Sequence, residues 1–90
     1  MAYKREFVNV TVPADSGRRR VVLCPRGTEA LSGGASVIRA GAGPFDTVIR
    51  ESGPGQVGEG RDLWLTSIVN NESMDLRVRF HAVCANLKLR

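Results

Sequence analysis

Ninety residues, 42% of them hydrophobic, with a formal charge of +4 make one small domain, of a size that buries only about 60 to 65 per cent of the surface its unfolded chain exposes. No run approaches the roughly 18 apolar residues of a membrane-spanning helix, and the charged opening Met1-Ala2-Tyr3-Lys4-Arg5-Glu6 lacks the apolar centre of a secretion signal, so synthesis and assembly in a cytoplasm are expected. The 13 basic residues, all Arg except Lys4 and Lys88, are scattered among nine acidic ones. A nucleic-acid footprint is concentrated and interleaved with aromatics, and this distribution argues against one.

Period-two alternation recurs about every ten residues, and helical periodicity does not. Val8, Val10 and Val12 share one face of a first strand over residues 7–12, which Pro13 and the turn Asp15-Ser16-Gly17 end. Residues 19–24 form a second strand, followed by the turn Pro25-Arg26-Gly27, where Pro presets φ and Gly accepts the left-handed conformation. Residues 29–39 read as a third strand interrupted at Gly33-Gly34, a pair that signals a bulge or the close approach of another segment. After a loop at 40–44 comes a fourth strand at 45–51. The Gly- and Pro-rich stretch 52–60 is expected to be the longest flexible loop.

Residues 61–70 make a fifth strand with Leu63, Leu65 and Val69 on one face and Trp64, Thr66 and Ile68 on the other. Apolar residues on both faces place it centrally. A turn at 70–73 leads to a sixth strand at 75–85, with Leu76, Val78, Phe80, Ala82 and Cys84 inward and Arg77, Arg79, His81 and Val83 outward. Leu87 and Leu89 fall on the opposite parity, which requires a bulge at Asn86 or a tail that leaves the sheet. The expected fold is all-β, a small antiparallel sandwich of six to seven strands.

Cys24 and Cys84 each end a strand-forming run. One bond between them would close a loop of roughly 60 residues and add about 4 kcal/mol in the chain-entropy model. Whether they bond depends on the compartment, and a particle assembled in the cytosol and later released meets oxidising conditions afterwards.

The segments Cys24-Pro25-Arg26-Gly27, Ser32-Gly33-Gly34-Ala35-Ser36-Val37, Gly53-Pro54, Trp64 with Asn70 six residues on, and Val78-Arg79-Phe80-His81-Ala82-Val83-Cys84-Ala85 carry a resemblance. They are similar to the C-P-x-G…G-G-G-x-x-V…P…G-W-x-V-x-x-x-N…V-x-x-x-A-x-C-A pattern of a small β-sandwich module in actinobacterial extracellular proteins and some phage structural proteins. The resemblance covers residues 24–85 and implies a disulfide between Cys24 and Cys84, with Trp64 packed in the sandwich. Ser32 departs from the first glycine of the triplet, Leu63 stands before Trp64 where Gly is usual, and the secretion signal is missing.

Catalytic chemistry finds no footing. His81 is the only histidine, on the polar face of a strand, with no Ser or Cys placed to act as its nucleophile. Neither cysteine has a near neighbour of the kind a zinc site needs, and neither glycine-rich stretch is followed by Lys-Ser/Thr or a helix. No catalytic residue, cofactor or metal is therefore expected. Trp64 reads as a core anchor, and Arg18-Arg19-Arg20 as either a grip on phosphate or an acidic protein patch, or a guard on an edge strand.

The expectation is a non-enzymatic structural protein, a bacteriophage virion component such as a capsid decoration or cement protein, acting in a capsid lattice or a homo-oligomer. Tyr3, Phe7, Arg18, Arg19, Arg20, Leu87 and Leu89 are the interface candidates, with an N-terminal arm (1–6) and a C-terminal tail (86–90) in contacts between subunits. The alternative is a carbohydrate-binding or cell-surface adhesion module, which would need an exposed aromatic platform. A DNA-associated protein would instead gather Arg18, Arg19, Arg20, Arg77 and Arg79 on a single face.

Overall fold

Six strands account for all the regular structure in the computed structural model, which describes residues 3–38, 45–58 and 61–86. They are β1 (Tyr3–Val12), β2 (Ser16–Leu23), β3 (Glu29–Val37), β4 (Thr47–Val57), β5 (Arg61–Asn70) and β6 (Leu76–Ala85). Two antiparallel three-stranded sheets result, one in the order β1-β6-β3 and the other β2-β5-β4. The fold is thus the all-β two-sheet arrangement that the alternation predicts.

The central strands carry the core. Leu76, Val78, Phe80, Ala82 and Cys84 of β6 are completely buried and meet Val22 and Ile68 of the second sheet, with Val12 closing one end. Burying a side chain the size of Phe80 stabilises by about 2 to 3 kcal/mol. β5 lies between β2 and β4, as its two apolar faces require. The turn after β2 also forms as expected: Gly27 adopts a φ of 85°, and Thr28 donates to the Pro25 carbonyl through both its N–H (3.1 Å) and its hydroxyl (2.6 Å).

Four expectations need correction. The stretch 52–60 is not a loop through its length, because β4 continues to Val57, pairing Gly53 with Leu65, Pro54 with Trp64 and Gly55 with Leu63. Pro is tolerated there because β4 is an edge strand, where a missing N–H can face solvent. Conversely, Phe45 and Asp46 precede the strand rather than begin it. In β3 the register shift lies between Ala30 and Ser32, not at the glycine pair. Finally, β1 begins at Tyr3 and stays in register with β6 from Tyr3/Ala85 to Val12/Leu76, so Tyr3–Glu6, expected to be an arm, form part of the sheet. Leu87, Leu89 and the end of the expected third strand at Arg39 lie outside the described residues.

At Gly33 the second of the two expected reasons, the close approach of another segment, holds in place of a bulge. A Cβ there would run into the Trp64 indole and the His81 carbonyl oxygen, so the missing side chain is what lets β5 and β3 approach.

Candidate functional site

Because neighbouring residues on a strand point to opposite faces, the pairing registers define what each sheet presents outward. On the second sheet the outward parity gathers Val21 and Leu23 of β2, Leu63, Leu65 and Val69 of β5, and Val48 and Val57 of β4. Val21, Leu23, Val48 and Val57 are each more than a third exposed, whereas Leu63 is buried. Leu63 is covered because its side chain lies across Gly55, where an added Cβ would come within 3.1 Å of it. Gly53, beside Leu65, has open space above it. The result is a shallow apolar hollow of about 490 Å³ between Val21, Leu63, Leu65 and Pro54, rimmed by Arg19 and Arg20. One charged row crosses this face: Arg19 and Glu51 both pair with Ser67 from opposite sides, and their side chains meet at 3.6 Å over that small residue.

The first sheet presents a different surface. Its outward rows are Arg5–Val83–Ser32, Phe7–His81–Gly34, Asn9–Arg79–Ser36 and Thr11–Arg77. Tyr3 is 64% and Phe7 50% exposed. The Arg79 guanidinium carbon sits 4.8 Å from the centroid of the Phe7 ring, and its Nε donates to Asn9 Oδ1 at 3.1 Å. The Phe7 and Asn9 side chains both come from β1, two residues apart on the same face, which is why they reach the same arginine on β6.

The remaining candidates separate. Cys24 and Cys84 form a disulfide with a Cα separation of 5.8 Å, within the range such a bond spans without distortion, and it joins the end of β2 to β6 across the two sheets. Trp64 is half-buried against the core, and its Nε1 donates to the Ser52 hydroxyl at 2.8 Å. It offers no open platform of the kind a sugar ring stacks on. Arg18, Arg19 and Arg20 lie on β2, an edge of the second sheet, while Arg77 and Arg79 are on the outer face of the first. The single basic face expected of a DNA-associated protein is not formed. Among the described residues no three His, Cys, Asp or Glu side chains gather as metal ligands.

Sequence reasoning missed the Phe7–Arg79–Asn9 contact and the apolar outer face of the second sheet. The parity of Val21, Leu23, Leu63 and Leu65 could have shown the second, but the first depends on the β1–β6 register, which no local pattern carries. The class defined by fold and surface is a disulfide-fastened β-sandwich with two unlike outer faces. No protein-family model, curated protein or solved structure matches the chain.

Proposed function

We propose that this is a non-enzymatic structural protein that works by binding other protein chains, as a bacteriophage virion component of the capsid-decoration or cement kind. The observation that carries the reading is the outer face of the second sheet, where Val21, Leu23 and Val57 stay exposed in the rows about Leu63 and Leu65, with Val48 on the far side of the Arg19–Glu51 row, in a chain this small. An exposed apolar patch with a polar rim suits a protein contact. The support therefore comes from a sheet face rather than from chain ends reaching to neighbours. The cross-sheet disulfide suits a module that must persist in an oxidising medium after release.

A stable contact should bury on the order of 1,000 Å² or more in total. Sedimentation of the purified protein and mass spectrometry of purified particles from the source genome test the proposal together. Incorporation of the wild-type chain, lost in a folded Val21→Glu/Val57→Glu variant, is the expected result. A wild-type chain that is absent from particles and stays monomeric would overturn it.

A further inference from the structure

We propose that the outer face of the first sheet is a second docking surface, and that its partner is a carboxylate-rich protein face seated on the fork of Arg79. The inference rests on the reading of the molecule as a protein that binds proteins, and it concerns a face that reading does not use. Along the four outward rows from Arg5 to Arg77 there is no acidic residue; Glu29 lies beyond one end, opposite Ala85, and Asp75, beyond the other, accepts a hydrogen bond from the Ala14 N–H at 3.0 Å. Arg5, Arg77, Arg79 and His81 thus face outward with no outward acidic residue in their rows.

Arg79 is the organised member. The Phe7 ring packs against its guanidinium and Asn9 takes its Nε–H, so neither contact uses the two terminal nitrogens, and Arg79 lines a hollow on this face with Arg5, Phe7 and His81. A planar fork held in place matches the two oxygens of a carboxylate or a phosphate, and fixing it beforehand lowers the entropy cost of binding. Arg77 stands two residues away on the same face of β6, about 7 Å along the strand.

The surroundings favour protein over nucleic acid. Phe7 is engaged in fixing Arg79, whereas a single-strand binder leaves aromatic faces open for bases; Tyr3 is the one further aromatic with outward parity on this sheet among the described residues. The outward cations of β1 and β6 are Arg5, Arg77 and Arg79, without Lys, and they alternate with Val83 and Phe7, while Tyr3 stands one row further on, in the row that ends at Glu29. Arg and aromatics interleaved in this way are what protein interfaces enrich.

The test titrates the full chain with poly-L-glutamate and, separately, with oligothymidylate at physiological ionic strength, following binding by anisotropy and the Arg Nε signals by NMR. Expected is tighter binding of polyglutamate than of oligothymidylate, with the Arg79 Nε signal shifting most. Arg79→Lys keeps the charge and loses the fork, and should weaken polyglutamate binding about fivefold. Phe7→Leu should weaken it in the same direction by freeing the arginine, and Arg50→Gln, at an exposed position of β4 in the other sheet, should leave it unchanged. An Arg79→Lys variant that binds like wild type, equal weakening by Arg50→Gln, or tighter binding of oligothymidylate would each overturn the proposal. None of these outcomes bears on whether the chain is found in purified particles, so the two readings fail separately.

Discussion

The two ends of the sandwich are closed by different chemistry. At one end Cys24 and Cys84 are covalently joined, and Asp62 beside them collects the Ala30 N–H on Oδ2 and the Gln56 side-chain amide on Oδ1, each within 3.1 Å. Arg61 Nε adds a bond to the Cys24 carbonyl at 2.9 Å. At the other end a buried amide is the centre of a set of hydrogen bonds that also includes Ala14 N–H to Asp75 and Asp15 N–H to the Glu72 carbonyl. Asn70 is 1% exposed, and its Nδ2 donates to the carbonyls of Val12, Pro13 and Met74 while its Oδ1 accepts the Glu72 N–H at 2.8 Å. The covalent end depends on redox state and tolerates water, whereas the amide end is indifferent to reductant and depends on staying dry, because an unmet buried carbonyl is what makes its loss expensive.

Removing the covalent tie should have the largest effect. A Cys24→Ala/Cys84→Ala variant is expected to lose about 4 kcal/mol, the loop-closure value for this separation, measured as the shift in urea midpoint; a domain of this size has only about 5 to 13 kcal/mol in total. Reductant should act on the wild type in the same direction and leave that variant unmoved. Asn70→Ala attacks the other end and should cost about 3 kcal/mol, since the buried Val12 carbonyl and the part-buried carbonyls of Pro13 and Met74 lose their donor at once. Hydrogen exchange sharpens the contrast: amides near Ala30 and Leu63 should lose protection on reduction before those near Ile68, and the order should reverse in Asn70→Ala.

Gly33→Ala should cost about 1 to 3 kcal/mol by overpacking, because the added carbon meets the Trp64 ring and a backbone carbonyl that cannot give way; a change in tryptophan fluorescence should accompany it. Arg19→Ala should be smallest, under about 0.5 kcal/mol, because Arg19 and Glu51 are 64% and 55% exposed and solvent screens such pairs. A thermal midpoint that fell as far as in Asn70→Ala would show the outer charged row to be structural.

How much of this was legible follows from where each signal lies. β5 and β6 could be read almost to the residue, because central strands must satisfy a buried face at every second position and that pattern is local. β4 could not, since Gly53, Pro54 and Gly55 carry the composition of a turn, and only the edge position, set by pairing with β5, lets them be strand. The cysteine pair stood out because both residues end apolar runs. Asn70 stood out only as a position of the resemblance pattern: its local context reads as the first residue of a turn, although it shares parity with Trp64, Thr66 and Ile68, and that parity points it inward. The Arg79 fork was least accessible, because Asn9 is 70 residues away in sequence, Phe7 slightly more, and both meet it only through register.

The position of the disulfide also governs how the molecule would carry a load. Tyr3 lies opposite Ala85, so tension applied between them opens the β1–β6 ladder one hydrogen-bonded pair at a time, like a zipper, instead of shearing all the pairs together. Such a joint yields at low force. The yielding is bounded, however, because the cross-link spans a separation of 60 residues, and the chain between the two cysteines cannot pay out. Only the segment from Tyr3 to Cys24 can extend, to about 70 Å at the reach of a stretched backbone, after which the force passes through covalent bonds. Held by those two points, the sandwich would act as a tether with a short soft travel and a hard stop.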